Sequence, residues 1–236
     1  MTTESIKRAI TPLRLIFWGG LLCIFDVSIS QTVNGEGFKF DFLNDALGAI
    51  LIAVGVFRLA ALPVPGRYAA AMTFAGVVSI LEIVDAIREH FIQPWPDVVY
   101  VLAPLLSLAA LAAIMVFCLA MRRFCLKAAM PSEARSWKVT TVLFVVIYVV
   151  PLGPFYMAAL VAMATNTSFN IDLGPAGLLL MPVFAIPLIH LFVSTSRMKR
   201  AAEQRTLAEG QADVVPTSAP QEWPEPPADA DSGQSP

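Results

Sequence analysis

The chain has 236 residues, 57% of them hydrophobic and 14% charged, with a mean hydropathy of +0.69. A soluble domain is nearer half apolar and a quarter charged, so this composition excludes an ordinary soluble globular protein. The formal net charge of −2 describes neither part of the chain: six of the 18 acids and none of the 16 bases lie beyond residue 205, which leaves a body of +4 and a tail of −6.

A membrane-spanning helix needs about 20 mostly apolar residues to cross roughly 30 Å of hydrocarbon, because only intrahelical bonds satisfy the backbone there. Six segments meet that requirement. After a basic N-terminal stretch, 1–12, the first span is placed from Leu13 to Ser30. It has a rival reading. Basic residues, the apolar run Leu15 to Phe25 and then Ser28-Ile29-Ser30 also resemble a signal peptide. Asp26 and the lack of an Ala-x-Ala site favour a retained span, and cleavage would leave the later spans in the same orientation. The remaining spans are expected at Phe42 to Leu62, Tyr68 to Ile87, Val98 to Met121, Val139 to Ala164 and Gly174 to Ser196. Turn-forming links such as Asn34-Gly35-Glu36-Gly37, Pro63-Val64-Pro65-Gly66 and Gln93-Pro94-Trp95-Pro96 separate them and leave no room for a soluble domain in between.

Basic residues test this segmentation, since Lys and Arg stay on the cytoplasmic side of short loops. With the N-terminus inside, 14 bases fall on the inner side and two, Lys39 and Arg88, on the outer. Omitting one span would exchange the sides of everything after it. The expected fold is therefore all-α: a polytopic membrane helical bundle of six transmembrane helices over 13–200, with both termini cytoplasmic.

Residues 201–236 are read as a cytoplasmic tail. From Thr206 the composition turns to Pro, Ala, Ser, Gln and acids, with six prolines and Trp223 as the lone aromatic. Such a segment buries too little apolar surface to offset its ordering entropy, so disorder is expected. A solvated extension is preferred to a partner-recruiting tether, because Pro224-Glu225-Pro226-Pro227 carries no recognition pattern. Cys23, Cys118 and Cys125 offer neither a disulfide framework nor zinc-ligand spacing. They read as buried or interfacial thiols, with Cys125 beside Arg122, Arg123 and Lys127 also open to palmitoylation.

Ionisable residues inside spans are costly and point to function. Asp26 lies on the outer half of the first span, and Ser79, Glu82, Asp85 and Glu89 recur at helical steps along one face of the third. Asp41, Asn44 and Asp45 open the second span on the same outer side and are placed to converge with these acids on an acidic, outward-open pocket. Asp26, Glu82 and Asp85 are the candidate ion or proton site, since carboxylates withdrawn from water and set beside one another hold a proton or a cation. The competing reading is structural. Asp41 and Asp45 would be N-terminal caps of the second span, and Asp26 and Glu82 would be satisfied by interhelical hydrogen bonds. His190 is placed as a structural polar group bonded between helices near the inner side. It sits about 24 Å deeper than His90 at 1.5 Å per residue, too far for the two to share a haem. Pro151-Leu152-Gly153-Pro154 is expected to interrupt the fifth span, and Pro182 and Pro187 the sixth. Broken helices line sites in many transporters and also occur in plain bundles.

No His-Glu-x-x-His, Gly-x-Ser-x-Gly, phosphate-loop or Cys-x-x-Cys pattern is present, so no catalytic residue, metal or cofactor is assigned and an enzyme is not favoured. The inner bases are explained by topology, and nucleic acid is not an expected partner.

The hairpin Phe25-Asp26-Val27-Ser28-Ile29, then Phe40 through Gly55, resembles one found in uncharacterised bacterial multi-pass membrane proteins. In those an Asp closes the first span and a Pro-Asp-x-x-Gly-x-x-Leu pattern opens the second. Here Asn44 stands where that proline is usual. The resemblance implies bacterial origin and the inner (cell) membrane, and brings no activity with it. The leading expectation is an integral membrane protein acting as a helical partner or scaffold, touching the bilayer and a membrane-protein partner or a second copy. The alternative is a small secondary transporter or proton/cation-coupled permease using the intramembrane carboxylates.

Overall fold

Apolar runs that cannot pair their backbones with water pair them within a helix, and helices make up most of the regular structure. The computed structural model describes residues 3–24, 28–33, 36–41, 44–91, 97–165, 167 and 176–212. In chain order these form α1 (Thr3–Ile24), β1 (Ser28–Val33), β2 (Glu36–Asp41), α2 (Asn44–Ala60), α3 (Tyr68–Phe91), α4 (Asp97–Lys127), α5 (Pro131–Phe144), a π-helical turn (Val145–Val149), α6 (Val150–Ala164) and α7 (Ala176–Ala212). Among the described residues, three stretches are long and apolar enough to cross a membrane: Tyr68–Ile87, Leu102–Lys127 and Pro131–Ala164. At 17 residues α2 measures about 26 Å, short of a full hydrocarbon layer.

Three boundaries differ from the sequence expectation. The sequence places the end of the first span at Ser30, yet α1 ends at Ile24 and Ser28–Val33 pairs antiparallel with Glu36–Asp41, Val33 facing Glu36. At its other end α1 begins at Thr3, so the stretch 1–12 is helical rather than a separate terminus. Ile6, Ala9, Ile10 and Leu13, spaced by three or four, are buried, while Arg8 pairs with Glu4 on the exposed face. The tail boundary at 201 also moves, because α7 continues to Ala212 with Met198 and Ala202 buried. The sequence predicts disorder from Thr206, but 206–212 are helical, and the rest of that stretch, 213–236, lies outside the described residues.

The prolines do not end their helices. Immediately before Pro151 the helix widens into the π-helical turn Val145–Val149 and then resumes as α6. A proline has no N–H to give and crowds the preceding turn, and a wider turn accommodates both effects. Pro182 and Pro187 lie within α7.

Consecutive helices pack on one another from α1 to α5, and α7 returns to contact both α1 and α5. Lipid is as apolar as a leucine side chain, so close packing and interhelical hydrogen bonds have to hold such a bundle together. Gly19 and Gly48 provide the closest packing. A β-carbon on Gly19 would lie 2.5 Å from the Gly48 carbonyl oxygen, and one on Gly48 would lie 2.6 Å from that of Gly19. The two backbones therefore touch at a point where no larger residue fits.

The α2–α3 and α4–α5 turns meet at one end of the bundle. Gly66 takes a φ of +88°, open to glycine without strain, and the Lys127 ammonium donates to the neighbouring Pro65 carbonyl. Past α4, Ala129 adopts a φ of +52°, and the Arg205 guanidinium donates to the Ala128 and Ala129 carbonyls at 2.7 and 2.6 Å. Those carbonyls lie just past the last residue of α4, where a cation meets the negative end of the helix dipole.

Candidate functional site

Connectivity brings the C-terminal ends of α1 and α3 beside the N-terminal end of α2, away from the Gly66 and Ala129 turns. A cavity of about 410 Å³ reaches from these ends into the bundle, lined by residues of α1 to α4 and by Phe144, Tyr148, Leu188 and Leu191. Its walls are mainly aliphatic, with Asp45, Glu82 and Asp85 as acids among them. Asp45 enters from the first turn of α2, where a carboxylate also complements the helix dipole. From α3, Ser79, Glu82, Asp85 and Ala86 all face the cavity, as residues three and four apart on one helix must.

Each polar group has a defined setting. The Ser79 hydroxyl donates to the Ala75 carbonyl at 2.9 Å, leaving its oxygen free to accept. Cys23, on the opposite wall, approaches the Asp45 carbonyl at 3.9 Å. Among the described residues, the Glu82 carboxylate meets neither a base nor a hydrogen-bond donor. An ionised carboxylate without a partner in apolar surroundings is costly, and residues of this kind point to function.

Of the candidate ion-site residues, the structure brings Glu82 and Asp85 to one cavity, and Asp26 lies outside the described residues. Asp45, read from sequence as a structural cap, joins the two acids there. Asp41 ends β2 opposite Ser28 instead of sitting at the helix terminus, because α2 begins only at Asn44. Cys125, at 0% exposure, is in the core, which removes it as an accessible acylation site. Cys118 is buried as well.

His190 belongs to a second, separate polar cluster. Its Nδ1 lies 2.9 Å from the Thr140 hydroxyl and 3.4 Å from that of Ser194. Thr140 and Ser194 are 3.0 Å apart, and Ser194 is 2.8 Å from Ser136. These bonds tie α5 to α7 through the buried Ser136, Thr140 and Ser194 and the half-buried His190. Ser136 with Thr140, and His190 with Ser194, are i, i+4 pairs, a sequence signal for a polar stripe on each helix that passes unnoticed when only ionisable residues are weighed. Tyr148 is the other residue missed. It lines the cavity and donates to the Phe184 carbonyl at 2.8 Å, and nothing in an apolar run of valines and isoleucines marks it in advance.

No family model, curated protein or solved structure matches the chain.

Proposed function

We propose that this is a multi-pass membrane protein that binds a proton or a small cation in the carboxylate-lined cavity and moves it across the bilayer, as a small cation-coupled permease. The observation that carries this reading is the meeting of Asp45, Glu82 and Asp85 from two helices in one mainly aliphatic cavity, with no described base beside Glu82. Exchange of a proton for a cation at Glu82, with Asp45 and Asp85 supplying further oxygen ligands and field, is the chemistry those groups support.

The membrane placement belongs to the same proposal. Six spans with both termini cytoplasmic are supported by the 14 to 2 partition of bases, and the placement in a bacterial inner membrane rests on the resemblance of the first hairpin. The cavity mouth would then face outward. Proteoliposomes holding an internal pH-sensitive dye test the reading: Glu82→Gln and Asp85→Asn should each reduce cation-driven proton flux, and absence of flux in the parent protein would reject it.

A second reading, a helical partner within a membrane assembly, is favoured by one observation. In α6 only Ala162 is buried, while Val150, Met157 and Val161 are more than half exposed and Gly153 has open space beside it. Such a face suits a neighbouring helix or a second copy. Cross-linking from cysteines placed at Val150 and Met157 distinguishes a protein neighbour from lipid.

A further inference from the structure

At the bundle end opposite the acids, a groove of about 530 Å³ lies between α3 and α4, both of which contain a stretch able to cross a membrane. Its walls are apolar, including Val64, Ala71, Val116 and Leu119, and its floor is Tyr68 against Phe124, ring centres 5.8 Å apart. Tyr68 is fixed there by its hydroxyl, which points to the Met121 sulfur at 3.9 Å. Arg67, Arg123 and Lys127 stand in the lining, and no acid does. Among the described residues none of the three is ion-paired. Lys127 is held in position by the Pro65 carbonyl, which uses one of its three donors.

A soluble anion would use the bases and leave the apolar walls in water. An apolar helix would use the walls and leave three cations unanswered. A molecule with a phosphate at one end and a hydrocarbon chain at the other satisfies both, and basic pockets between membrane helices take such headgroups. We propose that this groove binds one anionic phospholipid, its phosphate among Arg67, Arg123 and Lys127 and an acyl chain along the α3–α4 walls. The inference needs only that α3 and α4 span the membrane and is independent of the cation cavity.

The test is native mass spectrometry of the full chain in a nonionic detergent, offered phosphatidylglycerol, phosphatidylcholine or inorganic phosphate. One phosphatidylglycerol should be retained in preference to phosphatidylcholine, and millimolar phosphate should not displace it. Arg67→Gln and Arg123→Gln should each weaken retention about fivefold, the contribution of one basic side chain near an anionic headgroup. Arg135→Gln, which removes a base outside the groove, should leave retention unchanged. Ala70→Trp, filling the groove while keeping every charge, should also abolish it. Melting midpoints in the same detergent verify that each variant folds. Equal retention of the two lipids, an equal loss on Arg135→Gln, or displacement by phosphate would overturn the proposal.

Discussion

The Tyr148 hydroxyl donates to the Phe184 carbonyl at 2.8 Å, joining the π-helical turn Val145–Val149 to the stretch of α7 between Pro182 and Pro187. The bond ties the irregular turn before α6 to a helix of a separate part of the chain. Interhelical bonds within membranes contribute about 0.6 kcal/mol on average and up to about 2. Tyr148→Phe should therefore destabilise the bundle by about 0.5–2 kcal/mol in detergent unfolding, and an unchanged midpoint would mean that the freed carbonyl finds another donor.

The contact between Gly19 and Gly48 predicts an asymmetry among glycines. Gly48→Ala places a β-carbon 2.5 Å from the Cys23 sulfur and 2.6 Å from the Gly19 carbonyl, so it should cost about 1–3 kcal/mol. Gly153→Ala, with nothing within 4 Å, should be neutral or stabilise by about 0.5–1 kcal/mol, as alanine does in a helix. Denaturant titration of the two variants side by side checks both signs.

Thr140 is the hub of the α5–α7 polar cluster, within bonding distance of His190 and Ser194. Replacing it by Val leaves the buried Ser194 and the half-buried His190 short of a bond and should cost about 1–3 kcal/mol. Thr140→Ser keeps the hydroxyl and should recover most of that loss. Equal destabilisation by Val and Ser would assign the effect to the methyl group's packing.

Arg205 closes the end of α4 from a point far along α7. Arg205→Gln should cost about 1–2 kcal/mol, the worth of a charged hydrogen bond at a helix terminus. Hydrogen exchange localises the effect: amides around Ala201 to Leu207 should lose protection while those near Leu188 keep theirs.

How far these features can be read from the sequence depends on whether the signal is local. Helices are legible because hydropathy and periodicity are properties of neighbours in the chain, and so is the face that carries Ser79, Glu82 and Asp85. The end of α7 is masked by composition. Leu191, Met198 and Ala202 continue a buried stripe into a stretch whose charges read as solvent-facing, and Arg205 reads as a topological base when it is also a cap. The close of α1 is misread for another reason: Ser28-Ile29-Ser30 is apolar enough to prolong a span, while its pairing with Lys39, Phe40 and Asp41 is a relation between separate segments. Asp45 shows the same limit. Its place in the first turn of α2 is visible in sequence, but the cavity it shares with Glu82 depends on how α2 and α3 pack.

The account rests on the cavity acids binding a cation, and proton release on cation addition tests that most directly. Purified protein in weakly buffered detergent is titrated with sodium, potassium or tetraethylammonium chloride while pH is followed. A site of this kind should release protons saturably with at least one of these ions, and Glu82→Gln should abolish the release without changing the melting midpoint. No release with any of the three, or the same release from Glu82→Gln as from the parent, would contradict the account.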